Sequence, residues 1–264
     1  MANRPSMIAI ISAAYADLAR VLNALWAPAI MALCLFIAAQ FSALVAAKLL
    51  GETALAKIML KQAIDLAGYA LIAPFLIALH RFILLDEATQ RYEFTTAWPR
   101  VSRFAGWLVL IGLITSIPLV IQMINFVSQP SIVYYTGATP PAPVDVISRP
   151  ATLVVSVLAL LATARLMILL PAIAIDARGA TLANALSDTN GNVSYLARVS
   201  FLCAVSLLLP LGLFLLILHH VLRDFATWQV VYLALTIVRF FAIALAAALA
   251  SRLLLALGNR TAAA

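Results

Sequence analysis

Residues 229–250 read QVVYLALTIVRFFAIALAAALA, and a single charge, Arg239, interrupts them. A bilayer core of about 30 Å is crossed by about 20 mostly apolar residues in helical form. Hydrocarbon offers no partner to free N–H and C=O groups, so only helices and closed barrels span it. The apolar run here is continuous rather than alternating, which excludes a barrel strand. Comparable runs recur, and they predict six spans at about 27–47, 64–85, 104–126, 151–175, 199–218 and 229–250. The expected fold is therefore all-α: one transmembrane domain over residues 1–264, a polytopic bundle of six helices.

Composition agrees. The chain is 65% hydrophobic and 10% charged, against roughly 45–50% and about 25% in soluble domains. No globule of this size buries so much apolar surface. The net charge of +7 comes from bases set between apolar runs. That pattern points to orientation against anionic lipid and away from nucleic acid. Arg4, Arg20, Arg91, Arg100, Arg103, Arg178, Arg198, Arg252 and Arg260 fall on one predicted side, and Lys48, Lys57, Lys61, Arg149 and Arg223 on the other. The richer side is the cytoplasmic one by the positive-inside rule. Both termini are then expected in the cytoplasm, in a plasma or inner membrane.

Residues 6–25 read as an uncleaved amphipathic helix lying in the interface, started by Pro5 and Ser6. Met7, Ile11, Leu18, Leu22 and Leu25 share one face, and Ala13, Asp17, Arg20 and Ala24 the other. Lys48, Glu52, Lys57 and Lys61 mark a short amphipathic connection before the second span. Pro130, Pro140, Pro141, Pro143 and Pro150 predict an extended external loop. A short surface helix is expected at 181–186, broken by Asn190 and Gly191.

Ionisable groups inside spans are costly and so become functional candidates. His80 lies near the cytoplasmic end of its span, and His219 and His220 near the external end of theirs. One metal or haem cannot take ligands from both ends, and no cofactor is expected. Cys34 and Cys203 read as buried free thiols. Asp65 reads as a surface (i, i+4) partner of Lys61. Arg81 is close enough to the cytoplasmic end to snorkel, with Asp86 or Glu87 as its partner. Arg239 lies mid-span, and Arg165 does too if its helix continues past Pro171. No Asp or Glu is expected at their depth. Two accounts stand. The arginines bond to carbonyls freed by Pro74, Pro118, Pro171 and Pro210, or to polar side chains such as Tyr69 and Thr236. Alternatively they form a shared anion or lipid-phosphate site, with Arg81 as a further candidate for binding an anion or lipid.

Ala242, Ala246 and Ala250 make a small-residue stripe suited to close packing within the chain or against a second copy. Metalloprotease, Walker and serine-hydrolase motifs are absent, and no paired carboxylates sit at one depth for acid–base work. No enzymatic activity is expected.

Arg81 and Asp86 at one helix end, and Arg165 and Asp176 at another, repeat a pattern of Arg, apolar stretch and Asp. Residues 165–198 read RLMILLPAIAIDARGATLANALSDTNGNVSYLAR. This stretch resembles the signature of YciC-like bacterial membrane proteins and of the membrane domain attached to some glycerophosphodiester phosphodiesterases. Arg165, Pro171, Asp176, Ala185, Ser187, Thr189, Gly191 and Asn192 follow that order, with Asp176 where the family usually has Glu. The resemblance implies a bacterial inner-membrane protein with no assigned biochemical activity, and it does not extend to a phosphodiesterase domain. The expected role is structural, lipid-associated or partner-binding, with membrane lipids as partners. The alternative is a small-solute or anion transporter with an arginine-lined interior.

Overall fold

The computed structural model describes residues 5–49, 54–89, 91–92, 98–127, 143–221 and 228–262. Among these, all regular structure is helical: α1 (Met7–Ala24), α2 (Trp26–Leu49), α3 (Ala54–Leu85), α4 (Trp98–Val127), α5 (Pro143–Leu166), α6 (Leu169–Ala174), α7 (Leu182–Thr189), α8 (Val193–Val221) and α9 (Trp228–Leu257). Seven of them are long and apolar enough to cross a membrane, α5 and α6 counting as one segment. The chain is a multi-pass helical membrane protein.

The seventh candidate is α1, and its geometry shows why it adds no crossing of its own. Only Leu25 separates α1 from α2. The Leu25 amide donates to Val21 and the Ala29 amide to Leu25, so the helical bonding runs on with little break. Both helices run antiparallel to α9. Asp17 meets Arg252, Leu22 and Leu33 line one pocket with Phe240 and Phe241, and Tyr232 meets Gln40. Two consecutive crossings require a reversal of direction, and none occurs between α1 and α2. α1 also follows the first half of α8, where Tyr195 donates to the Pro5 carbonyl and Tyr15 bonds Ser206.

The face that α1 buries differs from the expected one. Ile10, Ala14, Asp17, Leu18 and Val21 are buried, while Met7, Ile11 and Leu22 are only partly covered. Asp17 is 1% exposed and accepts bonds from Arg252 Nε at 2.5 Å and Nη2 at 2.7 Å, and from Arg20 Nη2 at 2.5 Å. The carboxylate faces inward because α9 supplies a bidentate guanidinium there, a partner that periodicity within α1 does not reveal.

α3 is the hub. Every residue from Ile72 to His80 is buried, so this part of the helix is surrounded by protein on all sides. Phe36, Phe75, Phe104 and Phe240, from α2, α3, α4 and α9, pack without exposure. Phe75 and Phe240 stack at 5.6 Å, and Phe36 and Phe240 tilt together at 6.3 Å.

Several boundaries move. α3 begins at Ala54, so Lys57 and Lys61 lie on the helix rather than on a connection. The Lys61–Asp65 pair at 2.9 Å lets the helix carry its charges onward. α5 begins at Pro143 and includes Pro150, so these prolines are helical and not extended. Proline fits the first helical position, where its missing N–H has no intrahelical acceptor. Pro130, Pro140 and Pro141 lie outside the described residues. The fourth span breaks at Met167–Ile168, between α5 and α6. Pro171 cannot donate to the Met167 carbonyl, which accounts for an interruption at that point. α7 forms as expected, with Thr181 capping the Asn184 amide and Gly191 at φ 75° turning the chain out. Cys34 is exposed rather than buried, whereas Cys203 is buried as read. Exposure on a membrane-spanning surface means contact with lipid, which tolerates a thiol.

Removing Arg252 leaves Asp17 buried without its main partner. Arg252→Ala should lower stability by about 3 kcal/mol in an unfolding titration in detergent micelles. Adding Asp17→Asn should recover most of that loss.

Candidate functional site

Among the described residues, three polar constellations and a cavity stand out in the interior. The first constellation centres on Asp65 of α3, which is 3% exposed. Its carboxylate accepts from Gln40 Nε2 at 2.7 Å, Lys61 Nζ at 2.9 Å and Arg239 Nη1 at 3.1 Å. Arg239 Nη2 donates to Tyr69 Oη at 2.7 Å. The guanidinium also lies over the Tyr69 ring at 5.4 Å and the Phe36 ring at 5.9 Å. Cation–π contacts of this kind strengthen when water is excluded. Tyr232 donates toward the Gln40 backbone oxygen and Oε1, both at 3.3 Å. α2, α3 and α9 are thereby tied by one network.

This network overturns the expectation that no carboxylate lies at the depth of Arg239. Asp65 reads as the external start of a span only if the helix begins beside it. Because α3 starts at Ala54, Asp65 is three turns inside. The bond to Tyr69 matches the first account of Arg239, in which protein groups satisfy it.

The second constellation gathers the ends of α3, α4, α6 and α7. Asp86 and Asp176 both take left-handed backbone, at φ 56° and 55°. Asp and Asn tolerate this region better than other side chains with a Cβ. Each thus ends a helix and reverses the chain, which gives the Arg–apolar–Asp repeat a structural meaning. Past Asp86 the chain runs back along α3, and Tyr92 Oη donates to the Leu71 carbonyl at 2.6 Å. Pro74 loosens this stretch of α3 by leaving the carbonyl of Ala70 without its usual donor. Burial pushes the Tyr92 phenol up, so it stays a protonated donor.

Asp176 pairs with Arg100 through two bonds, and Arg81 approaches it at 3.9 Å. Arg81 binds Glu87 with Nε at 2.8 Å and Nη2 at 2.5 Å, and donates to the Ala174 carbonyl at 3.1 Å. Arg103 donates to the Ala180 carbonyl. Arg165 donates to the Leu186 carbonyl at 2.9 Å and to Thr189 Oγ1 at 3.2 Å, covering the last turn of α7. A cation at a helix C-terminus is favourable for the free carbonyls there. Arg165 and Arg239 therefore have different partners on different elements, and the structure does not bring them to one site.

The third constellation anchors the C-terminal segment. Asp188 accepts from the Arg260 amide, the Thr261 amide and Thr261 Oγ1, the last two at 2.7 Å. Arg260 Nη1 donates to Ser187 Oγ at 3.0 Å. Gly179 lies against the Arg260 carbonyl, where a Cβ would collide with backbone. Thus Pro171, Asp176, Ser187 and Gly191 all hold the architecture of the 165–198 stretch.

A cavity of about 210 Å³ lies between α3, α4, α5, α6 and α9. Leu76, Phe104, Leu108, Ile111, Met167, Leu170 and Ile243 make its walls mostly apolar. Ala246 and Ala250 border it as well, so part of the small-residue stripe opens space rather than closing a helix contact. Ala250 is 1% exposed and faces the interior of its own chain. His80 also lines the cavity and is wholly buried, not interfacial as its sequence position suggests. Its Nδ1 lies 2.7 Å from Ser251 Oγ, and its Nε2 has no partner. Thr163 Oγ1, on the α5 wall, is likewise buried without a partner. The side chains of His219 and His220 lie outside what is described.

Sequence reasoning missed the burial of Asp17 and His80 and did not single out Thr163. Long-range contacts with Arg252 and Ser251 hold the first two, and no periodicity within one helix encodes them. Comparison with protein-family models, curated proteins and solved structures finds no match to this chain.

Arg239→Ala should cost about 3–5 kcal/mol, because it strands a buried carboxylate. Asp65→Asn combined with Arg239→Gln should cost less than the two single changes summed. A double-mutant cycle by denaturation in micelles measures that coupling. Gly179→Ala should expose the C-terminal segment, seen as faster carboxypeptidase trimming beyond Arg260 with the helical signal retained.

Proposed function

We propose that this chain is a structural, lipid-associated protein of a bacterial inner membrane, whose helical bundle is locked by internal ion pairs. The observation that carries this reading is the state of Arg239. A guanidinium serving a transported anion needs donors free toward a water-filled path near the midplane. Here Arg239 gives one nitrogen to Asp65 and another to Tyr69, and its plane rests on two aromatic rings. Arg165 is spent on the carbonyl end of α7 and on Thr189. The remaining interior space is bordered mainly by apolar side chains, which suits lipid or its derivatives better than a hydrated solute.

Orientation draws on the same contacts. Arg81, Arg100, Arg103, Arg165 and Arg260 bind the chain ends gathered around α6 and α7. The positive-inside rule makes this arginine-rich end the cytoplasmic one, with the C-terminus among it and α1 beside it. The resemblance of residues 165–198 to the YciC-like membrane proteins supports the bacterial inner-membrane setting.

The competing reading is an anion transporter, and it makes the surroundings of Arg239 wet. In a background of Cys34→Ala and Cys203→Ala, single cysteines at Thr236 and Leu235 are treated with a membrane-impermeant thiol reagent in sealed vesicles. Neither should label until the vesicles are dissolved and the protein is denatured. Rapid labelling of the Thr236→Cys protein in intact vesicles would replace the structural reading with the transport one.

A further inference from the structure

We infer that the cavity beside His80 binds a neutral single-chain amphiphile: an unbranched alkyl chain ending in one hydroxyl group, seated with its hydroxyl against His80 Nε2. This deepens the lipid-associated reading and rests on it for the membrane setting alone. Two buried polar atoms without protein partners, His80 Nε2 and Thr163 Oγ1, belong to side chains that border the same space. A buried polar group left unpaired is costly, and native structures pair the great majority. An occupant whose hydroxyl reaches either atom removes the cost at that atom.

Hydrogen-bonding capacity sets the chemistry of the head. Ser251 Oγ lies 2.7 Å from His80 Nδ1 and 3.3 Å from the Ala247 carbonyl, and its one proton can go to either. If it goes to Ala247, Nδ1 carries the ring proton and Nε2 takes a donor; if it goes to Nδ1, Nε2–H takes an acceptor. A hydroxyl group serves both tautomers. Thr163 can give or accept a bond to the same head. The other bordering side chains are apolar apart from Tyr69 and Thr115, so an ionised carboxylate or phosphate would find no countercharge. A neutral O–H is what remains.

Shape sets the tail. The space follows α3 from His80 to Tyr69, eleven positions by number and roughly 16 Å at the helical rise. Its volume of about 210 Å³ exceeds the ~150 Å³ of an engineered cavity that takes benzene. On that scale it holds on the order of ten heavy atoms, and over such a length they must be strung out as one chain. His80 lies five residues from the end of α3, so the polar head falls toward the membrane surface and the tail toward its middle. That is the polarity of a lipid in its leaflet. Thr115 borders the space and is exposed, which gives a way in from the side of α4.

The test uses the full chain in nanodiscs and a 1-decanol bearing a mid-chain diazirine. After irradiation, cross-linked peptides are mapped by mass spectrometry. Cross-links should concentrate on cavity residues such as Ile111 and Ile243. Unlabelled 1-decanol should compete at least about tenfold better than decane. Thr163→Val breaks no protein hydrogen bond, and it should reduce that preference severalfold while the fold is kept. His80→Leu should abolish it, and Ala246→Phe should remove the cross-links by filling the space. The inference is overturned by equal competition from decanol and decane, or by cross-links spread over surface positions such as Leu153 and Leu158. Thiol labelling beside Arg239 reports on the Tyr69 end of the space, not on the polar head at His80. A wet Arg239 with a saturable decanol site would sink the structural role and leave this one standing.

Discussion

A carboxylate has no place in hydrocarbon unless a cation meets it there, and α9 supplies that cation twice. Arg252 takes Asp17 of α1, and Arg239 takes Asp65 of α3. The acids are 1% and 3% exposed, so neither can turn to water. At low effective dielectric such pairs attract strongly, yet they also carry a heavy desolvation cost. Their main effect is on specificity: few arrangements of these helices satisfy both acids at once. Each acid has a second cation, Arg20 or Lys61, on its own helix. That neighbour lies toward the more exposed side and leaves α9 to complete the pair from within.

Around this constraint α3 acts as the axis of the bundle. Its middle is enclosed by phenylalanines from α2, α4 and α9. Its first half holds Asp65, and its C-terminal end holds His80 and Arg81. Left-handed aspartates at 86 and 176 finish the helices whose ends meet there. Arginines from α3, α4 and α5 then cover the carbonyls that those endings leave free. A membrane bundle has little hydrophobic force between its helices. Bonds of this sort, with close packing of small residues, have to set the arrangement instead.

The helical, multi-span nature of the chain was legible because continuous apolar runs are a property of single segments. The α7 helix and its Gly191 exit were legible for the same reason, since capping and turn chemistry are local. Legibility failed where partners come from far along the chain. Asp17 sits on the face that periodicity assigns to solvent, and only Arg252 explains its burial. Asp65 paired convincingly with Lys61 at (i, i+4), which hid the more distant bond to Arg239. His80 lies close to a helix end by number, but the packing of Phe104 and the contact with Ser251 enclose it. Pro143 and Pro150 suggested extended chain because composition cannot tell a helix start from a loop.

The contact between Asp17 and Arg252 joins residues 235 positions apart. During synthesis at roughly 5–20 residues per second, the aspartate leaves the ribosome tens of seconds before its guanidinium exists. Over that interval Arg20, one turn away, is the cation within reach of that acid. The contact that fixes α1 against α9 can form only once nearly the whole chain has been made.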